Sequence, residues 1–553
     1  MSASHKSPTV PGERERWSGQ FGFIVSAVGS AIGLGNIWRF PGVAYTNGGG
    51  AFMIPYVIAL LTAGIPILLL DYSIGHRYQG SAPTAFHRMK RWMESLGWLQ
   101  VMICVVITCY YAVILAWAGR YFFFSWTKAW GDDPASFLTD HYLKVSDPGF
   151  NMDIVPGVFW ALVALWIAVS VVMALGIEKG LERLNKIFIP ILIAIFVALV
   201  LRALFLNGAM DGLNSLFQPN WAALKNPNVW VAAYGQIFFS LSVGFGIMLT
   251  YASYMKPKSN MVPTAFVTGF ANSSFELLAG IGVFATLGFM ASAQGVSISD
   301  LGFKGVSLAF ITFPTVISMM PGGALFGLLF FASLFIAGFT SLVSLLQVIS
   351  AALQEKFALG RRLAAVVMGG GLGLTSVIFF STTNGLNALD VVDKFINEIG
   401  VVSAAVLECV LTVYVVKRLG LLRSHLNYNS TIRLGRWWDV TVGLVSPTVL
   451  VVTAVLVVIG LFRDGYEGYP TQFLYMYGWL MIVLVALISV ALSFARWRTP
   501  VDDFNAMQFH SPAAAGIYDD SPDPARERKT SDERTPSHTW IGRKPQPVSE
   551  KEN

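Results

Sequence analysis

Residues 19–46 form a run apolar enough to cross a bilayer, yet its centre is poorly suited to a regular helix. Within Gly29-Ser30-Ala31-Ile32-Gly33-Leu34-Gly35-Asn36, two closely spaced glycines fall where the helix should be strongest. Glycine is costly inside a helix because it surrenders the most backbone freedom. Asn36 and Arg39 follow within a turn. Lipid offers no partners to free N–H and C=O groups, so unwound backbone at membrane depth survives only where protein buries it or it lines a cavity. A broken spanning helix with polar residues at the break predicts a site for an ion or a polar solute. The competing reading of Gly29 and Gly33, four apart, is a small-residue face for close helix packing.

The rest of the chain fits a polytopic membrane protein. Of its 553 residues 54% are hydrophobic and 13% charged, against roughly 25% charged in soluble domains. At about 20 apolar residues per crossing, about twelve spans are expected, near 19–46, 50–76, 97–126, 155–175, 181–206, 229–255, 261–291, 322–355, 361–381, 390–418, 438–462 and 472–497. Basic residues gather in alternate loops: Arg77, Arg88, Lys90 and Arg91; Lys179, Arg183 and Lys186; Lys256 and Lys258; Lys356, Arg361 and Arg362; and 417–436. The intervening 127–153 loop is acidic, with Asp132, Asp133, Asp140, Asp147 and Asp153. The basic loops are expected to face the cytoplasm, with both termini inside, in the plasma (inner) membrane. That placement explains the net charge of +6 without nucleic-acid binding. Residues 1–16 read as a cytoplasmic segment, 17–498 as one membrane domain, and 499–553 as a disordered cytoplasmic tail. Cys104, Cys109 and Cys409 lie in apolar runs and read as packing residues.

The sixth span repeats the anomaly of the first. Gly235-Gln236-Ile237-Phe238-Phe239-Ser240-Leu241-Ser242-Val243-Gly244-Phe245-Gly246 places hydroxyls and a Gly-x-Gly in another apolar run. The two breaks open successive units of five helices. Interrupted spans at corresponding places in two halves point to an inverted-repeat transporter with its site at the midplane. The expected fold is therefore all-α, with the first ten spans as a five-plus-five inverted repeat.

These motifs bring a known family into view. Gly33-Leu34-Gly35-Asn36 with Arg39-Phe40-Pro41, Asn47-Gly48-Gly49-Gly50-Ala51-Phe52, Tyr110-Tyr111, Gly235 to Phe239 with Gly244-Phe245-Gly246, and Ala337-Gly338-Phe339-Thr340-Ser341 occur in that order. With them the chain resembles the neurotransmitter:sodium symporters, particularly their bacterial amino-acid branch, over roughly residues 14–500.

The resemblance implies two sodium sites and an amino-acid pocket. The first sodium site would use the Ala31 carbonyl, Asn36, Ser240, Asn272 and the substrate's own carboxylate; Ser240 stands where bacterial members usually have Thr. The second would use carbonyls of Gly29, Ile32 and Ala337 with the hydroxyls of Thr340 and Ser341. Residues 337, 340 and 341 share a helix face, and back-bonding of the two hydroxyls within their own helix is the competing reading. The substrate carboxylate would meet the N–H groups freed near Leu34 and Gly35 and the Tyr111 hydroxyl. Its ammonium would meet carbonyls of Ala31, Phe239 and Ser240 and the Ser341 hydroxyl. Ser30, Leu34, Ile107, Ser242, Phe245 and Leu345 would line a side-chain cavity without charge, although packing is the commoner role for such apolar residues. Monoamine carriers of the family have Asp where this chain has Gly33, so an apolar α-amino acid, aliphatic or methionine, is expected.

Glu276 lies one turn after Asn272, inside a span. An intramembrane carboxylate is by default a functional hypothesis; the alternative is an acid held neutral or paired for structure. Chloride-dependent members carry a small polar residue here, and chloride-independent bacterial members carry Glu. The resemblance thus implies no chloride requirement. Without a neighbouring cation, burial favours the uncharged acid, so proton counter-transport is the accompanying expectation. Two gates are implied as well. Outside, Arg39 would approach Asp393, supported by Gln236, with Tyr111 and Phe245 as a lid. Inside, Arg14 would pair with Glu355 over Trp17, near Tyr254. A basic residue before a first span is also an ordinary topology signal. Asp71 has no assigned role.

The expected activity is sodium-coupled import of an amino acid across a lipid bilayer. A substrate-sensing receptor of the same fold is the alternative. A channel or an intramembrane enzyme fits less well: no H-E-x-x-H or Gly-x-Ser-x-Gly element lies in a span.

Overall fold

The computed structural model describes residues 15–301 and 305–501. Ten unbroken helices are long and apolar enough to cross a membrane. They are Gly50–Tyr78, Arg91–Thr127, Pro156–Leu175, Ile177–Leu204, Met261–Gln294, Gly323–Phe357, Arg361–Phe380, Gly385–Val415, Arg436–Arg463 and Thr471–Phe494. The first span is a pair, Gln20–Ala31 and Leu34–Thr46, bent by 55°. Pro227–Ser240 and Ile247–Ala252 flank a non-helical stretch and make up the sixth span. Counted as single broken crossings, these two bring the spans to the twelve expected. The chain is all-α, with no strand among the described residues.

Both breaks have local causes. Ile32 and Gly33 adopt extended conformations between the first two half-helices. In the sixth span Ser242, Gly244 and Gly246 all have positive φ, at 53°, 81° and 81°. Two of these three left-handed positions are glycines, which enter that region without steric cost; Ser242 is a strained exception.

Between membrane helices no water-driven hydrophobic force operates, so close packing carries association. The third span is the centre of the bundle, with 78% of its most apolar window buried, whereas the twelfth has 17% and lies at the periphery. Small residues set the closest approaches. A Cβ on Gly75 in the second span would stand 1.9 Å from the Leu249 carbonyl oxygen, so only glycine lets the second half of the sixth span seat there. Gly212 and Gly288 likewise bring Ala209–Phe217 against the seventh span.

The tail boundary differs from expectation. Thr499 Oγ1 donates to the Glu355 carbonyl, and Arg88 Nε donates to the Val501 carbonyl at 2.9 Å. Residues 499–501 are thus packed against the bundle; residues 502–553 lie outside the described residues, as do 1–14, including Arg14.

Candidate functional site

At the first break the Gly33 N–H donates to Asn36 Oδ1 at 2.9 Å. Asn36 Nδ2 donates to Asn272 Oδ1 at 2.8 Å, and Asn272 Nδ2 to Ser240 Oγ at 2.5 Å. One continuous chain therefore joins the first, seventh and sixth spans through three of the residues expected at the first sodium site. All three are buried. Their amide and hydroxyl oxygens are hard donors of the kind that suits an alkali cation. Ala31, whose carbonyl was expected in the same set, is also buried.

A second cluster lies between the first and eighth spans. Ser341 Oγ is 3.2 Å from the Ser30 carbonyl, 3.3 Å from that of Ile32 and 3.2 Å from that of Ala337. Thr340 Oγ1 is 2.9 Å from the Ala337 carbonyl and 3.3 Å from that of Ile336. Ser341 thus reaches across to the broken helix, while Thr340 bonds back within its own. Gly29 sits against the fifth span: a Cβ there would meet Asn185 Oδ1 at 2.5 Å. Asn185 Oδ1 is itself buried without a partner.

Glu276 is fully buried and points at the same region. Its carboxylate accepts hydrogen bonds from the Tyr56 hydroxyl and from Gln236 Nε2, the latter at 2.6 Å. The Ser240 hydroxyl, which accepts from Asn272, lies beside this carboxylate and sets the acid next to the first oxygen cluster. Tyr56 also lies 2.9 Å from Ser273 Oγ. Neither Tyr56 nor Ser273 was expected here. The only signal was a phenolic tip in the apolar second span, one turn after the Gly48–Phe52 motif.

Between the clusters stand the residues expected to hold the solute. The Leu34 N–H donates to the Tyr111 hydroxyl at 3.3 Å. A Cβ on Gly33 would meet Ser341 Oγ at 3.1 Å and the Tyr111 hydroxyl at 3.2 Å, so any side chain there would press on both hydroxyls. A Cβ on Gly35 would stand 2.1 Å from the Phe239 ring. Ser242 Oγ reaches the Ser30 carbonyl at 3.4 Å, and Ser30 Oγ is buried without a partner. Ile107, Phe245 and Leu345 are buried.

At the outer gate Arg39 comes near enough to Asp393 to act on its charge, without an ion pair among the described residues; its guanidinium lies over the Phe239 ring, 4.4 Å from the centroid. A cation on an aromatic face keeps its attraction without giving up water on its other side. Asp393 accepts from Asn397 Nδ2 at 2.8 Å. Gln236 serves Glu276 rather than Arg39, because a fully buried carboxylate needs donors more than a half-buried guanidinium on an aromatic face needs an acceptor. On the other side, Trp17 is buried, donates to the Tyr251 carbonyl at 2.8 Å and packs edge-on to Tyr254. The Tyr254 hydroxyl accepts from Gln347 Nε2 at 2.9 Å. Glu355 accepts from Ser81 N–H at 2.8 Å, Ser81 Oγ at 2.7 Å and Thr84 Oγ1 at 2.5 Å.

Comparison with known proteins points the same way. The chain matches the sodium:neurotransmitter symporter family over residues 14–147 and 132–499. It is 40% identical over 484 residues to an uncharacterized sodium-dependent transporter of Methanocaldococcus jannaschii, covering 87% of this chain and 97% of that one. It is 33% identical over 365 residues to a sodium- and chloride-dependent taurine transporter of Rattus norvegicus, covering 60% of this chain and 59% of the relative. Among solved structures it resembles MhsT in complex with L-phenylalanine, with a TM-score of 0.67 and 29% identity over 80% of this chain and 99% of that one.

Proposed function

The chain belongs to the sodium:neurotransmitter symporter family, and from that premise we propose that it imports an apolar α-amino acid with sodium and without chloride. It is a sodium-dependent transporter and not an enzyme; the substrate, the anion independence and the two ion sites are our reading. The observation that carries it is the placement of Glu276. Its carboxylate is fixed beside Ser240 and Asn272 by Tyr56 and Gln236, a fixed negative charge next to the first oxygen cluster. A mobile anion in the same place would be redundant and repelled. The taurine relative is named as sodium- and chloride-dependent; on our reading Glu276 takes the place of that anion here.

The α-amino acid class follows from the first break. A helix N-terminus with free N–H groups favours an anion, and the half-helix Leu34–Thr46 starts there. Gly33, set against Tyr111 and Ser341, supplies no carboxylate of its own at this point. The carboxylate therefore comes with the substrate. Placed there it would also complete the shell of Asn36, Ser240 and Asn272, so each ligand strengthens the other's binding, and reciprocally. The second ion would take Gly29, Ile32, Ala337, Thr340 and Ser341. The phenylalanine bound to MhsT fits an apolar cavity of Ser30, Leu34, Ile107, Ser242, Phe245 and Leu345. Apolar pockets discriminate by only about 1–3 kcal/mol per methylene, so aliphatic amino acids and methionine are expected to compete.

We further read the membrane as the plasma membrane, with both termini cytoplasmic, a single transmembrane unit over 17–498, and protonated Glu276 returning after sodium release. Uptake of labelled methionine into proteoliposomes, with chloride replaced by gluconate, tests the reading. Undiminished uptake is expected; loss of uptake would refute the role given to Glu276.

A further inference from the structure

The second span carries a carboxyl group that the sodium and substrate sites leave unused. Asp71 is fully buried. Its Oδ2 accepts from the Gly244 N–H at 3.4 Å, inside the non-helical stretch of the sixth span. Glu408, on the tenth span and also fully buried, hydrogen-bonds the Asp71 carboxyl group through its own. Glu408 Oε2 accepts from Gln100 Nε2 of the third span at 2.8 Å. No donor of any other described residue reaches Asp71 Oδ1, Glu408 Oε1 or Gln100 Oε1, all of them buried. Gln100 is fully buried, and its orphan oxygen faces Gly246, 3.1 Å from where a Cβ would stand. The second, third and tenth spans therefore converge on both glycines of the break, and they bring acceptors in excess of donors.

No cation balances them. Among the described residues neither acid forms an ion pair. The other ionisable groups facing the cluster are the Tyr72 phenol, 3.3 Å from Thr268 Oγ1, and the thiols of Cys409 and Cys104, the latter donating to the Phe245 carbonyl at 3.2 Å. An ionised carboxylate only accepts hydrogen bonds, so two that bond each other hold a proton between them.

We propose that Asp71 and Glu408 form a proton-binding site at the sixth-span break, distinct from Glu276, whose occupancy holds the break in its substrate-binding shape. With the proton bound, the pair links the second and tenth spans and leaves Asp71 Oδ2 to hold Gly244. When the proton leaves, two like charges face each other in a medium of low dielectric, the spans are pushed apart and Gly244 is released. Ser242 and Phe245, on either side of Gly244, then lose their positions; this consequence rests on the reading of both as pocket residues.

The test uses the full-length protein in liposomes. Infrared difference spectra over an alkaline titration should show a protonated-carboxyl C=O band that survives in Glu276→Gln and Asp71→Glu and is lost in Glu408→Gln and Asp71→Asn. Sodium-dependent methionine binding should fall at alkaline pH in the parent chain. In Glu408→Gln, where the amide hydrogen-bonds Asp71 at every pH, the fall should move up by about one pH unit or more. A band unchanged in Glu408→Gln and Asp71→Asn, or one lost only in Glu276→Gln, overturns the proposal. If Asp71→Asn does not fold, Glu408→Gln decides alone. If methionine does not bind at all, the substrate reading fails while the infrared result still decides this one.

Discussion

Tyr56 and Glu276 show how much one side chain can decide. Glu276 is held by two neutral donors, the Tyr56 hydroxyl and the Gln236 amide, so its charge is available to the neighbouring oxygen cluster rather than spent on an ion pair. Replacing it with Ser should open a place for a mobile anion, and uptake in Glu276→Ser should become several-fold chloride-stimulated. Chloride-independent transport at the parent rate in that variant would contradict the assignment. Removing a hydrogen bond to a charged group costs about 1.5–3 kcal/mol. Tyr56→Phe should therefore raise the sodium concentration needed for half-maximal binding by about tenfold or more, measured by sodium titration of labelled methionine binding; an unchanged midpoint would mean the phenol is only packing. The chemistry at Asn36, Ser240, Asn272 and Glu276 was legible from sequence because polar groups in apolar runs are costly and need a reason. Tyr56 was not legible: a tyrosine is at home in membrane helices, and its partner lies 220 residues away. Gln236 was legible as important and misassigned, because sequence shows that an amide is buried but not which charge it faces.

At the scale of elements, the two breaks were readable and their edges were not. The first falls at Ile32 and Gly33, slightly before the glycine pair's centre, because Asn36 caps the Gly33 N–H and lets helix resume at Leu34. The helices over 305–319, between the seventh and eighth spans, escaped notice since that segment is too short to cross. The close seat of the second half of the sixth span on Gly75 gives a direct test. Its neighbour is a backbone carbonyl, which cannot swing aside, so Gly75→Ala should cost about 1–3 kcal/mol by overpacking. That loss should appear as a lower melting temperature in detergent together with weaker sodium-dependent binding; an unaltered melt would show that the half-helix shifts freely. The segment after the last span makes a second one. Trp497 Nε1 donates to Glu94 Oε2 at 3.0 Å, its ring lies 4.7 Å from Lys356 Nζ, and the Arg498 N–H bonds the Lys356 carbonyl at 2.9 Å. Trp497→Ala should lower stability by about 1–3 kcal/mol, read in the same melting assay, and an unchanged melt would mean these contacts carry no load. Composition alone hid the continuation of these contacts to Thr499 and Val501, since polar, proline-rich sequence beyond residue 498 reads as a tail until a contact shows otherwise.

For the whole molecule, the account joins three things: a bundle whose first and sixth spans are broken, oxygen clusters at those breaks, and a fixed carboxylate beside one of them. Each was foreseeable in kind from where glycine and polar residues interrupt apolar runs. The arrangement of the gates was not, since Arg39 over Phe239 and Trp17 against Tyr251 belong to one conformation of a molecule that must adopt more than one. Coupling is the claim on which the rest depends: sodium and the amino acid complete each other's shells, so a sodium gradient should drive solute uphill. The most direct measurement is uptake of labelled methionine, leucine and alanine into proteoliposomes with sodium outside only, inside only, or replaced by potassium. The account predicts accumulation above equilibrium only with sodium outside. Tight sodium-dependent binding without accumulation, or equal uptake in potassium, would contradict it.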